Sequence, residues 1–450
     1  MGQGGEISLV NGTSYAWQLT YQHHYQMNAW TFPSTIAAQT VQTVYVEWDD
    51  HVGHKTKDDG GEATYTLVGT PYSFQIQARG VPYRHLQVQY VSLPTENNPP
   101  GEILDIGWVH DGTVPFVLAG QSGSFASSSM PVAWMQANFG SLGARTLRTL
   151  CIPGSHDAGM STLGSHTVGV APCNVLTQTT GIGGQLLQGS RYFDIRPVIA
   201  GATYQTGHYS SVEKTIDNKK LQFWVGGNGQ AIADIVNDIN AFTSTNKELV
   251  ILNLSHDLNT DVGNANYRPF TQTEWNGLFQ ELLALNNRSV VTTADLTQVP
   301  INQLMGNGKA GVVLIVRPAG DDISLGSYAN QGFYTDAQCP IFDSYSNTEN
   351  LQTMISDQLQ KMRTQRTSPT SPWFLLSWTL TQGTSDALTC ASGGGVSIID
   401  LADSANPRIY SDLYGSCTSR CYPNILYIDD VKSPNIAALA MAINAIAATS

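Results

Sequence analysis

The sequence predicts an α/β protein in which a TIM-type (β/α)8 barrel is preceded by an N-terminal β-sandwich domain. Three observations support this fold class. Residues 1–118 alternate apolar and polar side chains with a period of two, as half-buried antiparallel strands do. From Pro131 onward, apolar runs alternate with amphipathic helical stretches, which is typical of β/α architecture. Polar residues follow the ends of many of these runs, where barrel enzymes place their active sites.

The length and charge of the chain limit the classes of function. At 450 residues it is long enough for two or three domains, and its formal net charge is −13 with no dense block of Lys or Arg. This argues against nucleic-acid binding and against strong attraction to anionic membranes. No window approaches the ~20 apolar residues of a membrane-spanning helix. Any membrane contact is therefore expected to be peripheral, and either apolar or headgroup-specific.

The six cysteines and the N-terminus leave the compartment open. No CxxC pair is present, so a zinc site is not expected. Cys417 and Cys421 flank a short loop that could form a disulfide with Cys390. Sequons at Asn11 and Asn287 suit an extracellular protein, whereas the N-terminus has no apolar segment resembling a signal peptide. Extracellular and cytoplasmic locations both stay possible.

The domain boundary is predicted from a change in composition. Residues 1–118 form the predicted β-sandwich, whose strands are rich in β-branched and aromatic residues and whose ligand would be a lipid or another small molecule. Residues 119–131 are small, polar and without periodicity, which is typical of a linker. The barrel is then expected to span residues 132–450.

The second domain contains the expected number of strands for a barrel. Eight apolar runs are predicted as strands, at 148–153, 191–196, 202–207, 249–254, 312–316, 339–342, 373–378 and 425–429. Amphipathic helices are predicted at 229–242, 272–285, 348–363 and 434–448. Residues able to do chemistry follow seven of the eight runs: His156 and Asp157; Asp194 and Arg196; His208; His256 and Asp257; Arg317; Asp343 and Tyr345; Asp429 and Asp430. We expect these side chains to share one mouth of the barrel.

Two histidines on different strands of one mouth favour phosphodiester cleavage. That reaction needs a general base for the attacking hydroxyl and a general acid for the leaving alkoxide. An arginine beside them would stabilise the charge on the phosphoryl oxygens. Carboxylates such as Asp157 and Asp429 would orient the imidazoles, although Asp430 is an equally placed alternative to Asp429.

Five short motifs occur in order along the second domain. They are WM at 134–135, IPGSHD at 152–157, RYFDIRP at 191–197, ELVILNLSH at 248–256 and NILYIDD at 424–430. Together they resemble the X domain of phosphatidylinositol-specific phospholipase C, a family of the phospholipase C-like phosphodiesterase superfamily. The resemblance covers about residues 131–450.

The resemblance implies a role for each candidate residue. His156 would be the general base, activated by Asp429. His208 would be the general acid, assisted by Asp157. The residues that would hold an inositol ring are Arg317, Asp343 and Tyr345.

The chain departs from metal-dependent relatives at the second predicted strand. Those relatives place two carboxylates one residue apart there, whereas this chain has Asp194 and Arg196. A cation at the second position repels a divalent ion. Arg196 therefore resembles the metal substitute of the bacterial-type, metal-independent branch, and neither a metal nor another cofactor is expected.

The leading hypothesis is a metal-independent phosphodiesterase of phospholipase C type. Its substrate would be phosphatidylinositol or a glycosylated relative, and its products diacylglycerol and a cyclic inositol phosphate. One alternative is a phosphodiesterase for another lipid headgroup, such as a glycerophosphodiester or a sphingolipid. Another is a lipid- or carbohydrate-binding protein with a vestigial barrel. His256 is left as either a structural histidine or a sign of a different headgroup.

Overall fold

The computed structural model describes residues 3–216 and 219–448. The chain divides into two compact units. The first unit contains Met1–Pro131, Asn406–Tyr422 and Pro434–Ser450, and the second contains Val132–Ala405 and Pro423–Ser433. Two segments near the C-terminus, which were predicted to belong to the barrel, therefore belong to the first unit.

The first unit is a sandwich-like arrangement of two mainly antiparallel sheets. Its strands are β1 (Gln3–Thr13), β2 (Trp17–Tyr25), β3 (Met27–Trp30), β4 (Thr35–Ile36), β5 (Thr40–Trp48), β6 (Gly60–Leu67), β7 (Ser73–Arg79), β8 (His85–Gln89), β9 (Ile103–Gly107), β10 (Thr113–Gln121) and β11 (Ser124–Ser127). The sheet orders are β11-β10-β1-β5-β3 and β4-β2-β6-β7-β8-β9, with β1 and β10 parallel. Every second side chain of β6 is buried, because alternate residues of a strand face one core.

The segment 119–131, predicted as a linker, is part of this first unit. Strand β10 extends to Gln121 and pairs antiparallel with β11. Gly123, with φ 89°, supplies the left-handed backbone of the turn between them. Phe125 and Ala126 are buried, so the small residues here fill a hairpin and do not form a flexible connection. The linker prediction is wrong because small side chains suit both situations.

The second unit contains an eight-stranded parallel sheet of barrel type. The strands of the whole second unit, in the barrel sheet and in a smaller sheet, are β12 (Ile152–Ser155), β13 (Tyr192–Ile195), β14 (Pro197–Ala200), β15 (Thr203–Ile216), β16 (Lys219–Ala231), β17 (Leu249–Leu254), β18 (Leu258–Asn259), β19 (Gly311–Val316), β20 (Phe333–Thr335), β21 (Ile341–Asp343), β22 (Trp373–Ser377) and β23 (Ile425–Ile428). The barrel sheet has the order β20-β19-β17-β13-β12-β23-β22-β21. Within the described residues its edge strands β20 and β21 do not pair, so the barrel is open.

The third predicted strand is not a barrel strand. Residues 202–207 fall in β15, which pairs antiparallel with β14 and β16 in a separate sheet of order β16-β15-β14-β18. Barrel strands such as β17 and β19 are buried along their whole length and have nearly continuous apolar sequences. Residues 202–207 contain no large apolar side chain apart from Tyr204, so they lack the continuous apolar sequence of a barrel strand. The eighth barrel strand is instead β20.

Four of the helices match the four predicted amphipathic stretches in position, and one of these four belongs to the first unit. They are α1 (Trp134–Ala137), α2 (Phe139–Leu142), α3 (Ile182–Leu187), α4 (Ile232–Thr245), α5 (Gln272–Leu282), α6 (Ile301–Leu304), α7 (Leu351–Gln365), α8 (Thr384–Thr389), α9 (Ile398–Ala405) and α10 (Asn435–Ala447). Helix α10 packs on β1 and β10 of the first unit, and 11 of its 13 residues are buried. A Cβ atom on Gly12 would lie 2.6 Å from Cβ of Ala442, so a glycine is needed for this close approach.

One disulfide links two loops of the second unit. Cys173 is bonded to Cys390, across a sequence separation of 217 residues. The expected pairing of Cys390 with Cys417 or Cys421 is wrong, because Cys390 is already bonded to Cys173. As for membrane insertion, none of the helices in the described part of the chain is both long enough and apolar enough to cross a bilayer.

Candidate active site

Neighbouring strand ends bring the predicted residues to one place. Strand β12 lies between β13 and β23 in the barrel sheet, so the residues that follow these strands are neighbours. His156 and Asp157 follow β12, Asp194 and Arg196 lie at the end of β13, and Asp429 follows β23. All of these strands are parallel, which places their carboxyl ends at one edge.

His208 reaches the same place by a different route. It lies in β15, outside the barrel sheet. Strand β14 begins two residues after β13 ends, and β15 folds back antiparallel on it. The backbone N–H of Gly207 donates to the carbonyl of Arg196 at 3.0 Å. The β15–β16 hairpin is thereby anchored beside the carboxyl end of β13, and it delivers His208 to the site.

His156 and Asp429 form a directed pair. Nδ1 of His156 lies 2.6 Å from Oδ1 of Asp429, so Nδ1 donates its proton to the carboxylate. Nε2 then carries the lone pair, and Nη2 of Arg196 donates to it at 2.8 Å. Burial disfavours the charged imidazole, but the adjacent Asp429 carboxylate outweighs burial and raises the pKa of His156. The geometry is that of a general base with its orienting carboxylate.

Asp194 holds Arg196 in place and is itself saturated with donors. Its Oδ2 accepts from Nε of Arg196 at 3.0 Å, from the backbone N–H of Asp157 at 3.1 Å and from the Tyr427 hydroxyl at 2.6 Å. Its Oδ1 accepts from the Ser255 hydroxyl at 2.8 Å. Burial alone would raise the pKa of Asp194, yet the positive charge of Arg196 and these donors lower it. Both carboxylate oxygens are thus already used by donors of the chain itself.

Arg196 is the central cation of the site. Burial disfavours its charge, but Asp157 and Asp194 raise the pKa of the guanidinium well above its usual value. Its Nη1 lies 3.5 Å from Oδ2 of Asp157. The guanidinium therefore contacts two carboxylates and the imidazole of His156, with a side chain that is 17% exposed. This fixes a permanent positive charge between the two candidate catalytic histidines.

His208 and Asp157 are in contact but do not form a directed hydrogen bond. Nδ1 of His208 lies 3.0 Å from Oδ2 of Asp157. Neither atom makes a hydrogen bond in the described structure, and Asp157 is fully buried. A buried carboxylate without hydrogen-bond donors is a strong local source of negative potential. It faces His208 on one side and Arg196 on the other.

Backbone strain accompanies these strand ends. Asp157, His256 and Asp430 have φ angles of 39°, 56° and 50°, in the left-handed region that favours glycine. Each such residue costs ~1–3 kcal/mol and persists where surrounding contacts impose it. All three directly follow a residue that begins the loop after a barrel strand. The sharp turns keep the side chains of these loops over the barrel end.

His256 presents a defined nitrogen to a small cavity. The Ser255 hydroxyl donates to Asp194, so its oxygen accepts from Nδ1–H of His256 at 2.9 Å. The positive charge of Arg196, together with burial, lowers the pKa of His256. The neutral ring therefore offers Nε2 as an acceptor. The adjacent cavity has a volume of about 210 Å³, and its walls include Arg196, His256, Val198, Trp224, Leu258 and Pro269.

Two of the three predicted substrate-binding residues, Arg317 and Asp343, interact electrostatically with each other, and Asp343 also interacts with residues of the site. Arg317 donates from Nε to Asn253 at 2.9 Å and from Nη2 to the carbonyl of Cys339 at 2.6 Å. Asp343 interacts electrostatically with Asp194, Arg317 and His156. Tyr345 is 61% exposed, and its backbone carbonyl accepts from Nζ of Lys361 at 3.1 Å.

The structure distinguishes Asp429 from Asp430. Asp429 faces His156, whereas Oδ1 of Asp430 accepts from the Thr179 hydroxyl at 2.5 Å and its Oδ2 lies 2.8 Å from Nζ of Lys432. Asp430 therefore fixes the loop that follows β23 and does not orient His156.

Sequence reasoning missed two supporting residues. Tyr427 donates to Asp194, and its ring centroid lies 5.2 Å from that of His156. The strand period could have found it, because Tyr427 and Asp429 are two apart and share a face. Gln178 donates to the carbonyl of His156 at 2.9 Å and accepts from the N–H of Val431. It lies in a loop without periodicity, so no sequence signal could have found it.

Comparisons with known proteins give structural similarity only. No family model matches the sequence, and no curated protein matches it. A variant of the phosphatidylinositol-specific phospholipase C from Staphylococcus aureus is 17% identical with a TM-score of 0.47, covering 69% of this chain and 98% of that one. The corresponding enzyme from Listeria monocytogenes is 16% identical with a TM-score of 0.44, covering 71% of this chain and 96% of that one. At these identities and TM-scores, the similarity establishes neither an activity nor a substrate for this chain.

Proposed function

We propose that the chain is a metal-independent phosphodiesterase of phospholipase C type, acting on phosphatidylinositol or a glycosylated relative. One observation carries the proposal: two imidazoles, each against its own buried carboxylate, flank a single guanidinium. The pairs are His156 with Asp429 at 2.6 Å and His208 with Asp157 at 3.0 Å. Such a pair can remove a proton from the attacking hydroxyl and supply a proton to the leaving alkoxide of a phosphodiester.

His156 is the general base. Asp429 holds the proton on Nδ1, which leaves Nε2 free to accept a proton from the 2-hydroxyl of the inositol ring. Before substrate binds, Nη2 of Arg196 occupies that lone pair. A phosphoryl oxygen would draw the guanidinium donor away, so binding of the correct substrate would free the base.

His208 is the general acid. As the ring oxygen forms its bond to phosphorus, the bond from phosphorus to the glycerol oxygen breaks. His208 supplies a proton to that oxygen, and diacylglycerol leaves. Oδ2 of the buried Asp157 carboxylate lies 3.0 Å from Nδ1 of this histidine and faces its ring. One proton enters the protein at His156 and one leaves at His208, so the step balances.

Arg196 stabilises the charge that gathers on the non-bridging phosphoryl oxygens. Its planar fork can donate to two oxygens at once. Asp194 keeps the fork in position and already accepts four hydrogen bonds, which leaves it poorly suited to bind a divalent ion. Arg196 therefore takes the part that a metal ion would play.

The proposed substrate also implies which residues bind its headgroup and how the protein meets a membrane. The residues proposed to hold the inositol hydroxyls are Arg317, Asp343 and Tyr345. Because Tyr345 is exposed, it would reach the ring only from the rim of the site. Diacylglycerol is a membrane lipid, so the protein would act by peripheral contact with a bilayer. A lipid- or ligand-binding role for the first unit stays a prediction from its sequence.

The direct test is cleavage of phosphatidylinositol in the presence of EDTA. We expect a cyclic inositol phosphate, detected by phosphorus NMR, together with diacylglycerol. Glycerophosphodiesters and sphingomyelin in parallel reactions would report the alternative headgroups. His166→Ala is a matched control, because His166 is exposed and its Nδ1 lies 2.9 Å from the backbone carbonyl of Gly164. No product with any lipid, or product only after a divalent ion is added, would contradict the proposal.

The raised pKa of His156 gives a second prediction. A general base must be neutral, so the rate kcat/KM should fall with decreasing pH as His156 becomes protonated, at a pH above the ~6.5 of a free imidazole. Asp429→Asn should lower the pKa of His156, because burial then acts without the opposing carboxylate. An NMR titration of His156 measures this independently of activity. Asp430→Asn is the matched control, and an unchanged titration in Asp429→Asn would refute the pairing.

A further inference from the structure

The loop between β5 and β6 brings two histidines and one aspartate together on the first unit. We propose that Asp49, His51 and His54 form a binding site for a divalent transition-metal ion of the zinc or copper class. The three ligand atoms, one from each side chain, already lie within 4.8 Å of one another. This site is independent of the phosphodiesterase proposal, because it uses none of the same residues.

The local backbone explains why these side chains converge. Oδ1 of Asp49 accepts from the backbone N–H of His51 at 2.9 Å, which closes a turn at the end of β5. The N–H of His54 then donates to the carbonyl of His51 at 3.1 Å, which closes a second turn. Gly53 occupies its third position with φ 101°, a conformation that favours glycine. The two consecutive turns place both imidazoles against the same carboxylate.

The side-chain geometry is close to that of a coordinated ion. Oδ1 of Asp49 contacts Nδ1 of His51, and its Oδ2 lies 2.9 Å from Nδ1 of His54. The two ring centroids are 5.9 Å apart. Ligands at 2.0–2.1 Å from a tetrahedral ion are about 3.4 Å from one another. The side chains of His51 and His54 are 76% and 39% exposed. Small rotations of these two side chains can therefore bring the three ligand atoms to coordination spacing without repacking a core.

The surrounding charges leave Asp49 available as a ligand. Arg84 pairs with Asp50 at 2.5 Å and with the buried Asp59 at 3.1 Å. The same guanidinium donates to the backbone carbonyl of Asp49 at 3.3 Å, which fixes the loop. Arg84 thus compensates the neighbouring carboxylates, while the Asp49 carboxylate contacts the two imidazoles.

The ligand set selects the class of ion. Two imidazole nitrogens and one carboxylate oxygen suit zinc, copper or nickel, whereas calcium and magnesium prefer oxygen ligands alone. Three protein ligands leave at least one coordination position open to water or to another molecule. Elsewhere in the described part of the first unit, His23 lies 3.6 Å from Glu62 and His110 lies 3.3 Å from Asp111. Each of those pairs has a single imidazole and serves as an internal comparison.

Calorimetry of the whole chain with zinc chloride tests the site, after thiols have been blocked with N-ethylmaleimide. We expect one equivalent to bind, and His51→Ala and His54→Ala each to weaken binding by at least ~10-fold. His23→Ala is the matched control and should bind as the unchanged protein does. Both tested histidines are exposed loop residues, and equal thermal unfolding of the variants would show that the loop change is local.

Electron paramagnetic resonance with Cu²⁺ supplies a readout that counts ligands. The unchanged protein should show coupling to two imidazole nitrogens, and each single histidine variant should show coupling to one. No measurable zinc binding at millimolar concentration would overturn the proposal. So would zinc binding that is unchanged in both His51→Ala and His54→Ala. Neither outcome bears on cleavage of phosphatidylinositol.

Discussion

Arg196→Ala should lower kcat for phosphatidylinositol by ~10²–10³-fold or more, because it removes the donor to the charge developing on the phosphoryl group. Arg196 lies between His156 and Asp157, and its pKa is raised so far that it is always charged. Arg196→Lys keeps the charge but loses the planar fork, so we expect an intermediate rate. Rates are measured on lipid in EDTA with KM determined separately.

The control must separate lost chemistry from lost folding. Removing Arg196 leaves the buried Asp157 and Asp194 without their cation, which destabilises the site. Thermal unfolding of each variant therefore accompanies the kinetics. Arg268→Ala is the matched control, since Arg268 pairs with Glu274 at 2.8 Å and is 40% exposed on the same unit. A folded Arg196→Ala protein with unchanged kcat would remove the guanidinium from the proposed mechanism.

The parts of the fold that sequence could predict are those with a strong period. Strands β17 and β19 are apolar along their whole length, and their bounds match the predicted runs closely. Strand β20 has three residues, too few for any pattern to stand out, and the opening of the barrel beside it was missed with it. Residues 202–207 were assigned to the barrel although they contain no large apolar side chain apart from Tyr204, and they pair antiparallel with β14.

The location of α10 shows a second limit of sequence reasoning. The pattern predicted a helix there correctly, but its description as amphipathic is wrong. Nearly all of its side chains are buried, so it has no polar face to show which core it joins. Its packing on β1 depends on Gly12, more than 400 residues away in sequence. No local pattern encodes such a contact.

The sequence predicted which residues belong to the candidate site better than it predicted which of their side chains contact one another. The positions of polar residues after strand ends predicted that His156, Arg196 and Asp429 lie close together, and the structure has contacts of 2.6 Å and 2.8 Å among them. The pairing of His156 with Asp429, 273 residues apart, came from the resemblance to a family and agrees with a contact of 2.6 Å. The role of Ser255 in fixing the tautomer of His256 needed coordinates, because it depends on which atom of a hydroxyl faces Asp194.

We expect variants of the two proposed catalytic histidines to differ in how their activity depends on the leaving group. A general acid matters most when the leaving group is a poor one, because a stable anion departs without a proton. Diacylglycerol alkoxide is a poor leaving group, whereas a nitrophenolate is a good one. His208→Ala should therefore lose ~10²–10⁴-fold in kcat on phosphatidylinositol and keep substantial activity on an inositol nitrophenyl phosphodiester.

His156→Ala should be inactive on both substrates. The base acts on the attacking hydroxyl, and that hydroxyl is the same whichever group leaves. The contact of His156 with Asp429 and that of His208 with Asp157 make the two variants a matched pair, since each leaves one buried carboxylate without its imidazole. Equal loss of folding stability in the two would strengthen the comparison. Activity of His156→Ala on the nitrophenyl substrate would reverse the assignment of acid and base. Equal inactivity of both variants on that substrate would contradict the assignment.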